Sequence, residues 1–69
     1  MSSETVLLHE RLAETGIEVQ FRLTHEENTH YRLARGLITE QEATGALGQE
    51  PDEFTLARMN RLIAHLSLF

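Results

Sequence analysis

The stretch Ile17-Glu18-Val19-Gln20-Phe21-Arg22-Leu23 decides how this chain is read. Ile17, Val19, Phe21 and Leu23 alternate with Glu18, Gln20 and Arg22. A period of two, with β-branched and aromatic members, is the pattern of a strand with one buried face. The same residues also form the i,i+4 pairs Ile17–Phe21 and Val19–Leu23, which a helix brings together. The extended reading is the closer fit. A lone strand leaves backbone donors and acceptors unpaired, and the rest of the chain shows no second stretch that alternates as well. Thr5 to Leu12 is the nearest candidate, but its Leu7-Leu8 run breaks the alternation. An extended 17–23 segment therefore implies a two-fold dimer or addition to the sheet edge of another protein.

Upstream of this stretch, residues 4–15 read as a helix. Ser2 or Ser3 is positioned to cap it, Glu4 suits the positive end of the dipole, and Val6, Leu7, Leu8, Leu12 and Ala13 supply an apolar face. Gly16 stands where a helix terminates in the left-handed conformation. Downstream, Thr24 and Glu27 have capping-box spacing, as do Thr39 and Glu42, so helices are expected over about 25–35 and 40–47. The last helix, about 53–67, begins after Pro51 with Asp52 as its cap. Leu56, Met59, Ile63 and Leu66, widened by Phe54, Leu62 and Phe69, form its apolar face; Arg58, Arg61 and His65 share another. The expected fold is thus mainly α: three to four short helices in one small domain over 1–69, with a single extended segment at 17–23 completed by dimerisation.

Size supports association with another chain. The 69 residues make one domain at most, and a domain of this length buries only about 60% of the surface its unfolded chain exposes. Small folds recover stability from disulfides, metals or association. With no cysteine, disulfides and cysteine-based metal sites are excluded. Apolar residues at 41% and a net charge of −5 fit a folded domain rather than a disordered one. No apolar run approaches the roughly 20 residues that cross a bilayer, and Met1 to Thr5 lacks the basic start of a signal peptide. The expectation is a cytoplasmic protein without membrane partners.

No chemistry-bearing motif stands above its ordinary explanation. Glu26 and His30 are four apart, as a chelating pair would be, but no second pair completes a metal site. The carboxylate pairs Glu26–Glu27 and Glu40–Glu42 fall in first turns of helices, where acids serve caps and dipoles. No serine lies in a nucleophile-elbow context. The reading assigns no catalytic, cofactor-binding or metal-ligating residue, and no enzyme activity.

The segment Leu37-Ile38-Thr39-Glu40-Gln41-Glu42-Ala43-Thr44-Gly45-Ala46-Leu47-Gly48 resembles the first helix and turn of a helix-turn-helix domain. The resemblance implies that the following helix enters a DNA major groove. The sequence departs from the family's pattern there: that helix opens Pro51-Asp52-Glu53, with carboxylates facing phosphate, and Thr44 stands where a small packed alanine is usual. A ribbon-helix-helix arrangement is the other DNA-binding option, with the strand Glu18 to Leu23 paired to its two-fold mate and Gln20 and Arg22 reading bases. The acidic balance opposes the phosphate attraction both need. The leading expectation is a homodimeric protein–protein interaction module: an adaptor, chaperone-like subunit, or regulator or inhibitor of a larger protein. Its expected contact residues are Phe54, Leu56, Met59, Leu62, Ile63, Leu66 and Phe69, with Val19 and Phe21 next.

Overall fold

A computed structural model describes residues 4–67. Two strands lead, β1 (Thr5–Arg11) and β2 (Glu18–Thr24), followed by three helices, α1 (His25–Ala34), α2 (Glu40–Leu47) and α3 (Glu53–Ala64). With 47% helix and 25% strand among the described residues, this is an α+β fold, not a mainly α one with a single strand. The correction lies at the N-terminus. Residues 5–11 form not a helix but the antiparallel partner of β2, in the register Val6 with Leu23, Leu8 with Phe21 and Glu10 with Val19. The 17–23 segment therefore has its partner within the chain, and the hairpin does not depend on a dimer for completion.

The alternation in β1 is regular once each side chain is assigned to a face. Val6, Leu8 and Glu10 turn inward; Thr5, Leu7, His9 and Arg11 turn outward. Leu7 and Leu8 thus lie on opposite faces, and the third inward position is a glutamate that a hydropathy pattern scores as outward. Glu10 is tolerated there because two groups meet its carboxylate: the Tyr31 hydroxyl donates to Oε2 at 2.6 Å and Arg35 Nη1 at 3.1 Å. Burial of a charge is otherwise prohibitive. The connecting turn closes through Leu12 N–H to the Ile17 carbonyl and Gly16 N–H to the Leu12 carbonyl, both 2.9 Å. Gly16 has a φ of 73°, so its role is in a hairpin turn rather than at a helix end.

Both capping boxes form. Thr24 and Thr39 accept from the amides of Glu27 and Glu42, whose carboxylates reach back to the threonine amides. Asp52 caps α3 by accepting from the Thr55 amide at 2.9 Å and its hydroxyl at 2.7 Å. α3 ends at Ala64, short of the expected residue 67, because the next residues are recruited to the sheet. Ser67 N–H donates to the Arg11 carbonyl (2.7 Å) and Ala13 N–H to the His65 carbonyl (2.9 Å), setting Leu66 opposite Leu12.

α1 is the central element, packed against α3, α2 and both strands. The core is Leu23, Tyr31, Met59 and Leu66, with Leu8, Leu12, Phe21, Ala34, Leu62 and Ile63 packed around it. Ala43 is the buried residue of α2, the helix that packs on α1. His30 of α1 is buried and joins α1 to the start of α3. Its Nδ1 donates to the Glu26 carbonyl at 2.7 Å, and its Nε2 accepts from the Asp52 amide at 2.8 Å.

Candidate protein interface

α3 divides the expected contact residues. Its inward face carries Leu56, Met59, Leu62, Ile63 and, just beyond the helix, Leu66. Met59 and Leu66 are buried in the core, Leu62 and Ile63 pack half-buried against it, and Leu56 is half-buried. Val19 and Phe21 also turn inward and are half-buried, Phe21 against the core. Met59, Leu62, Ile63, Leu66 and Phe21 are committed to the chain's own interior. Phe69 lies outside the described residues. Phe54 is the exception, 82% exposed in the first turn of α3.

Phe54, Arg58, Arg61 and His65 recur at i, i+4, i+7 and i+11, so they form one outward stripe. Arg58 Nη2 donates to Glu27 Oε2 of α1 at 3.0 Å. The Thr24 amide bound to Glu27, and then Arg58, hold that carboxyl below its ordinary 4.5 against the opposing effect of burial. Arg61 is exposed and, among the described residues, forms no ion pair. A large exposed aromatic beside guanidinium groups is the composition from which protein-binding hot spots are drawn. The shared face of Arg58, Arg61 and His65 was legible in the sequence as spacing. Phe54 was expected on the apolar face, because it scores as a core residue in any apolar pattern.

Gln20 and Arg22 lie on the outer face of the hairpin with Thr5, Leu7, His9, Arg11 and Glu18. Arg11 Nη2 donates to Glu18 Oε1 at 3.3 Å and Arg22 Nη1 to the Thr5 hydroxyl at 3.5 Å, so both guanidiniums lean across the hairpin. The ribbon-helix-helix arrangement uses one lone strand from each chain, whereas β2 is already paired with β1 of its own chain. The helix-turn-helix resemblance meets a similar obstacle. In that motif the two helices brace one another, whereas α2 packs on α1 and not on α3.

The outer edge of β2 is open. The Arg11 carbonyl is taken by Ser67 on the side away from β2, so Arg11 and Glu18 are a pair whose backbone groups point apart. Alternation along an antiparallel ladder then turns the backbone groups of Glu18, Gln20 and Arg22 toward the far side of β2. Among the described residues, no backbone group from outside the hairpin bonds to them.

The cluster that sequence reasoning missed is Glu10–Tyr31–Arg35. Arg35 Nη1 also donates to the Tyr31 hydroxyl at 3.2 Å, and its guanidinium carbon sits 5.6 Å from the Tyr31 ring centre. The i,i+4 spacing of Tyr31 and Arg35 was visible, but Glu10 joins them only once β1 is a strand. Burial, reinforced by the Glu10 carboxylate, pushes the Tyr31 hydroxyl up from 10.0 to about 12. Its short bonds to Glu10 and Arg35 make this a structural lock between β1 and α1.

The Glu26–His30 pair is not arranged for chelation, since both His30 ring nitrogens are engaged by backbone groups. Among the described residues no group of three or more His, Asp or Glu side chains is placed to hold a metal ion. No helix among them is long and apolar enough to cross a membrane. Comparison of the chain with protein-family models, with curated proteins and with solved structures returned no match.

Proposed function

We propose that this chain is a small protein–protein interaction module that works in the cytoplasm by binding rather than by catalysis, as an adaptor or regulator of a larger protein. The observation that carries the reading is Phe54, an aromatic side chain left 82% in solvent and the most exposed of the large apolar residues Leu7, Ile17, Leu37 and Phe54. Burying an exposed phenylalanine contributes about 2 kcal/mol of association free energy, a gain that an isolated chain forgoes. Arg58 and Arg61 on the same face set the partner's chemistry: an apolar pocket bordered by carboxylates, with the guanidiniums giving bidentate specificity.

The test uses the full chain as bait in extract of its source cell, beside Phe54→Ser and Arg61→Glu variants. A protein captured by the wild type and lost from both variants supports the reading. A wild type that retains nothing specific, or a Phe54→Ser variant that retains the same protein, refutes it. Circular dichroism of the variants should match the wild type, because neither residue contributes to the core.

A further inference from the structure

We infer that one partner of the open edge of β2 is a second copy of the same chain, placed antiparallel about a two-fold axis at Gln20. The inference deepens the interaction-module reading, on which it rests, by naming a partner and a surface separate from the α3 stripe. It does not revive the idea of a strand awaiting its only mate, because the hairpin is complete within the chain. The second copy would join the two hairpins into a four-stranded sheet.

Three observations point to a copy of the chain rather than to solvent alone. The first is that the edge lacks two of the usual blunting devices. Exposed edge strands are often broken by proline or a bulge, whereas Glu18–Thr24 contains no proline or glycine and pairs without a bulge, its charges being Glu18 and Arg22 of opposite sign. The second is charge. Glu18 and Arg22 stand symmetrically about Gln20, so an antiparallel copy centred there sets Glu18 of each chain opposite Arg22 of the other. Two opposite-charge pairs then flank a Gln20–Gln20 amide pair, which is the arrangement cross-strand pairing rewards.

The third observation is register. Glu18, Gln20 and Arg22 are the residues whose backbone groups face outward, and in this alignment each meets another outward-facing residue and exchanges both ladder bonds. Shifting the axis to Phe21 sets Glu18 against Thr24, whose amide is already donated to Glu27 Oε1 at 2.9 Å, and sets Arg22 against Gln20. That register loses both ion pairs. On the inner face the Gln20-centred register brings Val19 of each chain beside Phe21 of the other, both half-buried now and more fully covered then.

Sedimentation equilibrium on the full chain, from about 5 to 500 µM, tests the inference, a range that reaches the weak association expected of a small interface. The wild type should pass from monomer to dimer across it. Glu18→Arg and Arg22→Glu should each weaken association by about tenfold or more, since each creates two like-charge pairs. Mixing the two variants should restore it, since only the mixed pair opposes unlike charges at both positions. Gln20→Pro should abolish the dimer and keep the hairpin, because the amide it removes faces the open edge. A folded wild type that is monomeric at about 500 µM overturns the inference, as does a mixture that associates no better than its components. The Phe54-dependent capture is read separately: a monomer that still captures a partner leaves the interaction-module reading standing, and a dimer whose capture ignores Phe54 leaves only this inference.

Discussion

Replacing Tyr31 by Phe keeps the ring in the core and deletes one hydroxyl, so it isolates the lock between β1 and α1. The hydroxyl donates to the Glu10 carboxylate at 2.6 Å, and Glu10 is an inward-facing side chain that is only 16% exposed. A hydrogen bond to a charged group at this depth is worth about 1.5–3 kcal/mol. Arg35, 3.1 Å from the same oxygen, retains part of the compensation, so about 2 kcal/mol is expected. For a domain of this size each kcal/mol lowers the melting temperature by about 4–8 °C, which makes the expected drop about 8–16 °C, measured by far-ultraviolet circular dichroism at neutral pH.

The same residue makes an alkaline prediction. Its folded pKa of about 12 exceeds the ordinary 10.0, so the neutral hydroxyl is favoured in the folded state. The contribution is fully present below pH 10 and is lost as pH rises toward 12, to a total of about 3 kcal/mol for the two units between them. Tyr31 is the chain's one tyrosine and there is no tryptophan, so the tyrosinate absorbance reports this group alone. A Phe variant melting within about 2 °C of the wild type, or a Tyr31 that ionises near 10.0 in the folded protein, would show that the lock does not hold β1 to α1.

Further predictions concern the other joints of the fold. Val6→Asp should cost about 2–3 kcal/mol in urea unfolding and Leu7→Asp less than about 1, because the first side chain faces the core and the second is 43% exposed; equal costs would contradict the strand assignment. His30→Phe retains bulk but leaves the Asp52 amide and the Glu26 carbonyl without their partner, a loss of about 1–3 kcal/mol; unchanged stability would mean that His30 is not the tie between α1 and α3. Glu27, Glu42 and Asp52 are held below their ordinary values of 4.5, 4.5 and 3.8, the two glutamates chiefly by threonine backbone amides and Asp52 chiefly by the Thr55 hydroxyl. The stability they confer is present above those values and is lost as pH falls through the lower folded ones. Glu27→Gln should flatten that acid limb, and an identical limb in the variant would count against the cap as its source.

The starts of the three helices were legible because the signals that set them are local. Thr24 and Glu27, Thr39 and Glu42, and Asp52 before Thr55 satisfy amides within one turn, so their effect is written in consecutive residues. The first strand was not legible in the same way. Glu10 occupies an inward position solely because Tyr31 and Arg35, 21 and 25 residues away, neutralise it. Its polarity hid the period-two pattern of Val6 and Leu8, and Leu7 beside Leu8 then passed for a helical stripe. The contact candidates failed to separate for a related reason: Phe54 and Met59 are equally apolar in a pattern, and only the direction of α3 against α1 puts one in solvent and the other in the core.

Composition and local chemistry alone determined that this chain has no disulfide, where its helices are capped, and that residues 17–23 alternate as a strand does, since each follows from residue type or from neighbours a few positions apart. Tertiary structure decided that residues 5–11 pair with that strand, that the outer edge of β2 stays open, and which apolar side chains are left in solvent. Those outcomes depend on groups far apart in the chain meeting at bonding distance, and no window of sequence contains both partners.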